Sequence, residues 1–155
     1  MINFWIVVVF SIVQGGVKVV NAEFTDPFTK IEPAGLINTR FPIYLETYDI
    51  QAQRDVYDLL SSATHETLAL NGSIFFLEGY PLQGVQAIPE ESTAFPFRGD
   101  SLLLVPFILF KTEGEELNKK ATKLGKDLRQ IIHKATGREE MHSYVNYAIG
   151  SETKK

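Results

Sequence analysis

Two short segments of the chain carry side chains that could do chemistry. They are Ser92-Thr-Ala-Phe-Pro-Phe-Arg98 and, about 50 residues later, Tyr144-Val-Asn-Tyr147. The second segment places two phenols and a carboxamide within four residues. A phenol held in a dry site can give or take a proton, and a neighbouring Asn can orient a ligand. Tyr144, Asn146 and Tyr147 are therefore the candidate site residues.

The backbone conformation of residues 141–148 decides whether the two phenols act together. The sequence predicts a strand here, in which Tyr144 and Asn146 share one face and Tyr147 points to the other. A bulge or turn at Ala148-Ile149-Gly150 would instead bring both phenols to one pocket. A third interpretation is that both tyrosines are ordinary sheet residues, because aromatic side chains are common in strands.

Composition limits the class of protein. The chain has 155 residues, of which 45% are hydrophobic and 22% charged, so it forms one domain or part of a larger one. Its net charge is −4 and its basic residues are scattered, which argues against a nucleic-acid partner. There is no Cys, and the three His residues have no metal-binding spacing, so we expect no metal site.

The N-terminus differs from the rest of the chain. Phe4 to Val13 is an apolar run too short to span a bilayer, and Val20-Asn21-Ala22 offers small residues for cleavage. Residues 1–22 are therefore predicted to be a signal peptide outside the compact domain, and the protein to be secreted. The alternative is a buried β-strand rich in Val and Ile.

Periodicity predicts an α+β fold, an antiparallel sheet with two amphipathic helices packed on one face. The first helix begins after Asp49 and covers residues 50–63. The second runs from Glu113 to Thr136 and ends at Gly137. Pro106 is expected at a bulge or on an edge strand. Four side chains of the second helix are expected to be buried: Leu117, Leu124, Leu128 and Ile131. Residues 23–42 are expected to form an extended connection, and strands are predicted at residues 73–78, 84–88, 93–97, 102–110 and 141–148.

In this order and at this distance, the two segments resemble the C-terminal, substrate-side part of berberine bridge enzyme-like FAD-dependent oxidases. The resemblance covers Phe24 to Ser151 and defines residues 23–155 as the substrate-side domain. It implies that Tyr147 is the base that removes a substrate hydroxyl proton and that Tyr144 is its hydrogen-bonding neighbour. It further implies that Asn146 positions the cofactor or the loop. The implied reaction passes hydride from a hydroxyl or amine carbon of a sugar, alkaloid or other metabolite to the flavin, and then reduces O2 to H2O2.

The sequence departs from this family at several positions. Pro106 occupies a position where the family often presents Gln or Glu, and Phe97 stands where His is commoner. Glu78 and Gln86 are the remaining polar candidates, and both are expected at the surface. The family's Gly-rich FAD loop has no counterpart in the 155 residues. We therefore expect a fragment that does not bind FAD alone, whose partners are a separate flavin-binding domain and a small-molecule substrate.

A non-enzymatic role is the alternative. A sheet with helices on one side leaves its other face open, and an apolar patch made by exposed Phe75, Phe107, Tyr144 or Tyr147 would then serve binding or dimerisation in a secreted module.

Overall fold

The structure, a computed structural model, describes residues 6–10, 35–92, 94–111 and 114–148, with backbone alone for residues 6–10. In these residues the strands are β1 (Ile6–Phe10), β2 (Ile37–Arg40), β3 (Ile43–Leu45), β4 (Ile74–Gly79) and β5 (Leu102–Phe110). The helices are α1 (Ile50–Glu66), α2 (Gln83–Gln86) and α3 (Glu115–Thr136). Short 3-10 turns occupy Leu68–Leu70, Glu90–Ser92 and Val145–Tyr147.

The strands form one sheet in the order β1-β4-β5-β2, in which β3 also pairs with β5. The strands β4, β2 and β3 are all antiparallel to β5, whereas β1 is parallel to β4. The α+β prediction, an antiparallel sheet with helices, is confirmed.

Pro106 lies in the middle of the central strand, and the prediction of an edge or bulge is wrong. The pairing of β5 stays in one register from Arg40 opposite Phe107 to Ile43 opposite Leu104. Between these pairs the Pro106 carbonyl accepts a hydrogen bond from Phe41 N, at 3.1 Å. The missing N–H of Pro106 therefore faces the gap between the end of β2 and the start of β3. The hydrogen-bond ladder is interrupted at that gap, while β5 itself continues without a bulge.

Both long helices form where predicted. The Asp49 side chain caps α1 by accepting a hydrogen bond from Ala52 N at 2.7 Å, and the helix runs three residues beyond the predicted end, to Glu66. In α3, acidic residues in the first turn and basic residues in the last complement the helix dipole. Gly137 ends α3 in the left-handed conformation, with φ of 66°.

The helices cover one face of the sheet and enclose the main core. Leu124 and Leu128 of α3 are buried there, as predicted, whereas Leu117 and Ile131 are only partly buried against it. Gly125 allows α3 to approach closely, since a Cβ at this position would meet the Phe41 ring at 1.9 Å. The buried members of this core are Phe41, Ile43, Leu45, Ala52, Val56, Leu60, Leu70, Phe75, Leu104, Ile108, Phe110, Ala121, Leu124, Leu128 and Ile132.

Several predicted strands are wrong. Residues 84–88 overlap helix α2, and the described residues 94–97 are not in a strand. Residues 141–148 form an irregular segment that ends in a 3-10 turn. Part of the predicted extended connection, from Ile37 to Arg40, is instead strand β2. These segments are held by contacts between distant parts of the chain, which local patterns do not reveal.

The N-terminal apolar run contributes a strand. Ile6–Phe10 pairs with β4, from Ile6 opposite Phe75 to Phe10 opposite Gly79. The expectation that residues 1–22 lie outside the compact domain is therefore wrong for these five residues, which follow the strand alternative. The other residues of that segment lie outside the described part of the chain, and cleavage after Ala22 stays a prediction.

Candidate functional site

The sheet face opposite the two long helices carries a second cluster of buried side chains, made by Tyr44, Phe76, Leu103, Val105 and Phe107. We call it the tyrosine face. The two segments singled out in the sequence meet on it, because Phe95 and Phe97 from the first and Tyr144 and Tyr147 from the second all pack against this cluster. The chain itself thus covers much of the face that the helices leave open.

The 3-10 turn at Val145–Tyr147 brings the two candidate phenols together. In such a turn, side chains three residues apart lie on the same side. The Tyr147 amide donates to the Tyr144 carbonyl at 2.9 Å, and the two ring centroids are 5.0 Å apart in an edge-to-face arrangement. A turn therefore unites the tyrosines, although it lies at residues 145–147 and not at Ala148.

Each tyrosine has a distinct environment. Tyr147 packs edge-on against Phe107 at 6.2 Å between ring centroids, and the Arg40 guanidinium carbon lies 5.0 Å from the Tyr147 ring centroid. The exposed Asn146 donates from Nδ2 to the Tyr144 hydroxyl at 2.8 Å. The phenol near the positive charge is thus Tyr147, and the amide fixes Tyr144.

Tyr44 is the centre of the aromatic contacts, although nothing in its local sequence marks it. Its ring lies 5.7 Å from Phe95, 5.9 Å from Phe97 and 6.0 Å from Tyr144, between centroids. Burial, followed by the proximity of Tyr144, Glu78 and further acidic groups, raises the pKa of Tyr44 to about 12. Tyr44 is therefore a neutral supporting phenol that joins the two segments.

Arg98, the last residue of the first segment, is bound to backbone carbonyls. Its Nη1 donates to Val85 O and, at 2.7 Å, to Ile88 O, while Nη2 reaches Pro89 O at 3.3 Å. Gln86, exposed as predicted, donates back to Arg98 O at 3.3 Å. Arg98 thus binds a carbonyl of α2 and two carbonyls of the residues that follow it, and so fixes the loop that precedes Phe95 and Phe97.

A buried carboxylate holds the second segment. Asp100, 2% exposed, accepts hydrogen bonds from Arg138 Nη2 and His142 Nδ1, each at 2.7 Å. The same Arg138 nitrogen also lies 2.7 Å from the exposed Glu46. The hydrogen bond to Asp100 raises the pKa of Arg138, with burial opposing and Glu46 adding to the rise.

Further contacts fix the path of this segment along β3. The His142 ring stacks on Phe97 at 4.1 Å between centroids, and the backbone carbonyl of His142 accepts a hydrogen bond from Tyr44 N at 2.8 Å. Ser143 Oγ donates to Pro42 O at 3.2 Å. Together with Asp100, these bonds place the backbone just before Tyr144 on the tyrosine face. No local pattern in the sequence indicates these contacts, because the partners are 38 to 101 positions apart.

Glu78 faces the same cluster, and its assignment to the surface is wrong in part. Side chains alternate along β4, so Glu78 shares its face with Phe76. It is partly buried, and burial raises the pKa of its carboxyl group above the ordinary value.

The expected exposed aromatic surface is not present in that form. Phe75 is 7% exposed and lies in the core under the helices, while Phe107 is 5% exposed within the tyrosine face. Tyr144 and Tyr147 are partly buried. Phe75 and Phe107 therefore do not contribute to such a surface, and a binding or dimerisation module built on the partly buried Tyr144 or Tyr147 stays an alternative prediction.

Across residues 35–148, apart from the short undescribed stretches, no group of three or more metal-binding side chains comes together. No helix in the described part of the chain has the length and hydrophobicity needed to cross a membrane.

Comparison with known proteins gives the class of enzyme to which this arrangement is related. The chain is 41% identical over 174 residues to FAD-linked oxidoreductase chyH of Penicillium rubens, in a match that covers 94% of this chain and 35% of that protein. The relatives are FAD-linked oxidoreductases. A second, chry5 of Gibberella zeae, is 31% identical over 96% of this chain and 35% of its own length. A third, srdI of Neurospora crassa, is 30% identical in a match that covers 73% of this chain and 23% of that protein.

The matches cover nearly all of this chain but only part of each relative. The chain spans about a third of the length of the first two relatives. A match to 94% of 155 residues leaves about nine residues outside it, so part of residues 1–22 is matched as well. No family model matches the chain, and no solved structure matches it significantly.

Proposed function

We propose that this chain is the substrate-side part of an FAD-dependent oxidase of the berberine bridge enzyme-like type. The observation that carries the proposal is the Tyr144–Tyr147 pair on the tyrosine face, beside Arg40, in a chain that matches FAD-linked oxidoreductases along nearly its whole length. The substrate is a small molecule with an oxidisable hydroxyl or amine carbon.

Tyr147 is the proposed base. Its Oη takes the proton of the substrate hydroxyl as the carbon loses hydride. Arg40 supports this role because its guanidinium lies beside the Tyr147 ring and offers positive charge to a phenolate. Tyr144 holds Tyr147 in place by ring contact, and Asn146 orients Tyr144 by donating to its hydroxyl.

The residues present fit one side of a flavin ring. Tyr147 offers an aromatic surface that is only partly buried, Arg40 a cation, and Asn146 an exposed amide that is the proposed cofactor contact. The chemistry that FAD supplies when bound is two-electron oxidation, with hydride taken from the substrate and electrons passed to O2. Dinucleotide affinity in such proteins comes largely from backbone N–H groups around the pyrophosphate, so the partner that holds FAD is a separate flavin-binding domain.

A chimera tests the proposal. The matching third of Penicillium rubens chyH is replaced by this chain, and FAD content and flavin reduction by the parent's substrate are measured. We expect a yellow protein that is reduced by substrate, and a loss of about 100-fold or more in the reduction rate in Tyr147→Phe. Tyr48→Phe, an exposed tyrosine on the helix side, is the matched control and should keep the parental rate.

Two results would contradict the proposal. One is a chimera that folds and binds FAD but is not reduced by the parent's substrate. The other is a Tyr147→Phe chimera that reduces FAD as fast as the Tyr48→Phe control, since the phenol would then have no part in proton removal.

A further inference from the structure

Glu78 is the acidic side chain of the tyrosine face that the proposed chemistry does not use. In the sheet register, Glu78 of β4 lies opposite Leu103 of β5, which in turn lies opposite Tyr44 of β3. The three residues form one row across the sheet, and alternation places all three side chains on the tyrosine face. Proximity is independently visible at Tyr44, whose pKa is raised in part by Glu78.

The position of this row relative to the reacting phenol follows from strand geometry. Tyr147 packs over Phe107, which lies opposite Ile74 in β4. Four residues of β4 therefore separate the Glu78 row from the row beneath Tyr147, a distance of about 14 Å along the strand. The backbone of Glu78 therefore lies in a different row of the sheet from Phe107, the residue beneath Tyr147.

The Glu78 carboxylate lacks a partner among the described residues. The other carboxylate near Tyr44, Asp100, receives hydrogen bonds from both Arg138 and His142. No donor in the described part of the chain bonds or ion-pairs with Glu78, although the side chain is partly buried. A partly desolvated carboxylate without a protein donor is hydrogen-bonded by water or by a ligand, and a cationic ligand also offsets the cost of desolvation.

We propose that Glu78 is the specificity-determining residue of the tyrosine face and that it binds a protonated amine in the remote part of the substrate. That the bound amine belongs to a substrate rests on the proposed function, but the binding site itself is a property of this chain. The chemistry is complementary in two ways. The carboxylate offers a charge-assisted hydrogen bond to an ammonium group, and the nearby aromatic rings attract a cation through their faces.

Ligand titration followed by NMR tests the proposal on the chain as it exists. The probes are 2-phenylethylamine, which is cationic, 2-phenylethanol, which is neutral, and 3-phenylpropionate, which is anionic. We expect the amine alone to shift the Glu78 carboxyl signal together with ring signals of Tyr44. The Glu78→Gln variant should bind the amine about tenfold more weakly or worse. Glu91→Gln, which alters an exposed carboxylate, is the matched control and should bind as the unmodified chain does.

Each other outcome overturns the inference. Absence of amine binding, equal binding of the neutral or anionic probe, or unchanged affinity in Glu78→Gln would each exclude an ammonium site at Glu78. The test is separate from turnover, because Tyr147→Phe should leave amine binding unchanged. If the chimera is inactive while Glu78-dependent amine binding persists, the proposed oxidase function fails and the binding site remains.

Discussion

Replacing Asp100 by Asn should detach the segment that carries the candidate phenols. Asp100 is 2% exposed and accepts two hydrogen bonds of 2.7 Å, from Arg138 and His142. Asn has the same shape but no charge, and its amide turns one acceptor into a donor that faces another donor. Removing one partner of a buried charge pair typically costs 3–5 kcal/mol. Since Arg138 keeps Glu46 and some contact with water, we expect about 2–4 kcal/mol.

Glu46→Gln provides a matched control within the same network. Glu46 and Asp100 each lie 2.7 Å from the same nitrogen of Arg138, but Glu46 is 61% exposed. An exposed ion pair contributes about 0–1 kcal/mol, so Glu46→Gln should change the free energy of unfolding little. Urea unfolding gives both values, and hydrogen exchange gives the protection of amides in residues 138–147.

Equal losses of unfolding free energy in the two variants would contradict this account, because burial of the carboxylate would then not matter. It would also be refuted if Asp100→Asn lowered global stability without faster exchange in residues 138–147. That result would mean that Asp100 supports the sheet and not the path of the tyrosine segment.

Three further predictions concern the supports of the tyrosine face. Gly125→Ala should destabilise the protein by about 1–3 kcal/mol despite the higher helix propensity of Ala, and Phe41→Leu should relieve part of that cost; a stabilised Gly125→Ala would disprove the close approach. Leu128→Ala should cost about 2–5 kcal/mol in urea unfolding, whereas the exposed Lys126→Ala should cost almost nothing; equal costs would contradict the core. The pKa of Tyr44 is about 12 in the folded chain, above its value in the unfolded chain. The contribution of the neutral Tyr44 to the free energy of unfolding is therefore complete below pH 10 and is lost as the pH rises towards 12. Between pH 8 and pH 11, urea unfolding should therefore show a smaller loss of unfolding free energy in Tyr44→Phe than in the unmodified chain. An equal loss in both would contradict this role of Tyr44.

The sequence predicted the helical layer well because its signals are local. The three- and four-residue spacing of Leu117, Ala121, Leu124 and Leu128 defines the side of α3 that faces the core, and Gly137 defines its end. A capping Asp does the same for the start of α1. These features act over one or two turns of helix, so a short window contains all the information needed.

The tyrosine face was predicted only in part, because its geometry depends on distant contacts. The two segments were recognised, but strand alternation placed Tyr144 and Tyr147 on opposite faces, and the 3-10 turn reverses that result. Tyr44 carries no local mark, and the partners of Asp100 are about 40 positions away in sequence. Pro106 was predicted at an edge or bulge, but it fits in a central strand because the neighbouring strand is interrupted beside it.

The proposed function depends on the 3-10 turn at Val145–Tyr147, which brings Tyr144 and Tyr147 together on the tyrosine face. Aromatic NOE measurements on the chain, with ring-labelled Tyr and Phe, test it most directly. The structure predicts cross-peaks between the Tyr144 and Tyr147 rings, from Tyr144 to Tyr44 and from Tyr147 to Phe107, at centroid separations of 5.0, 6.0 and 6.2 Å. A spectrum in which Tyr144 contacts Tyr44 while Tyr147 shows no contact with Tyr144 or Phe107 would indicate an extended strand, and the paired phenols on which the proposed function depends would not exist.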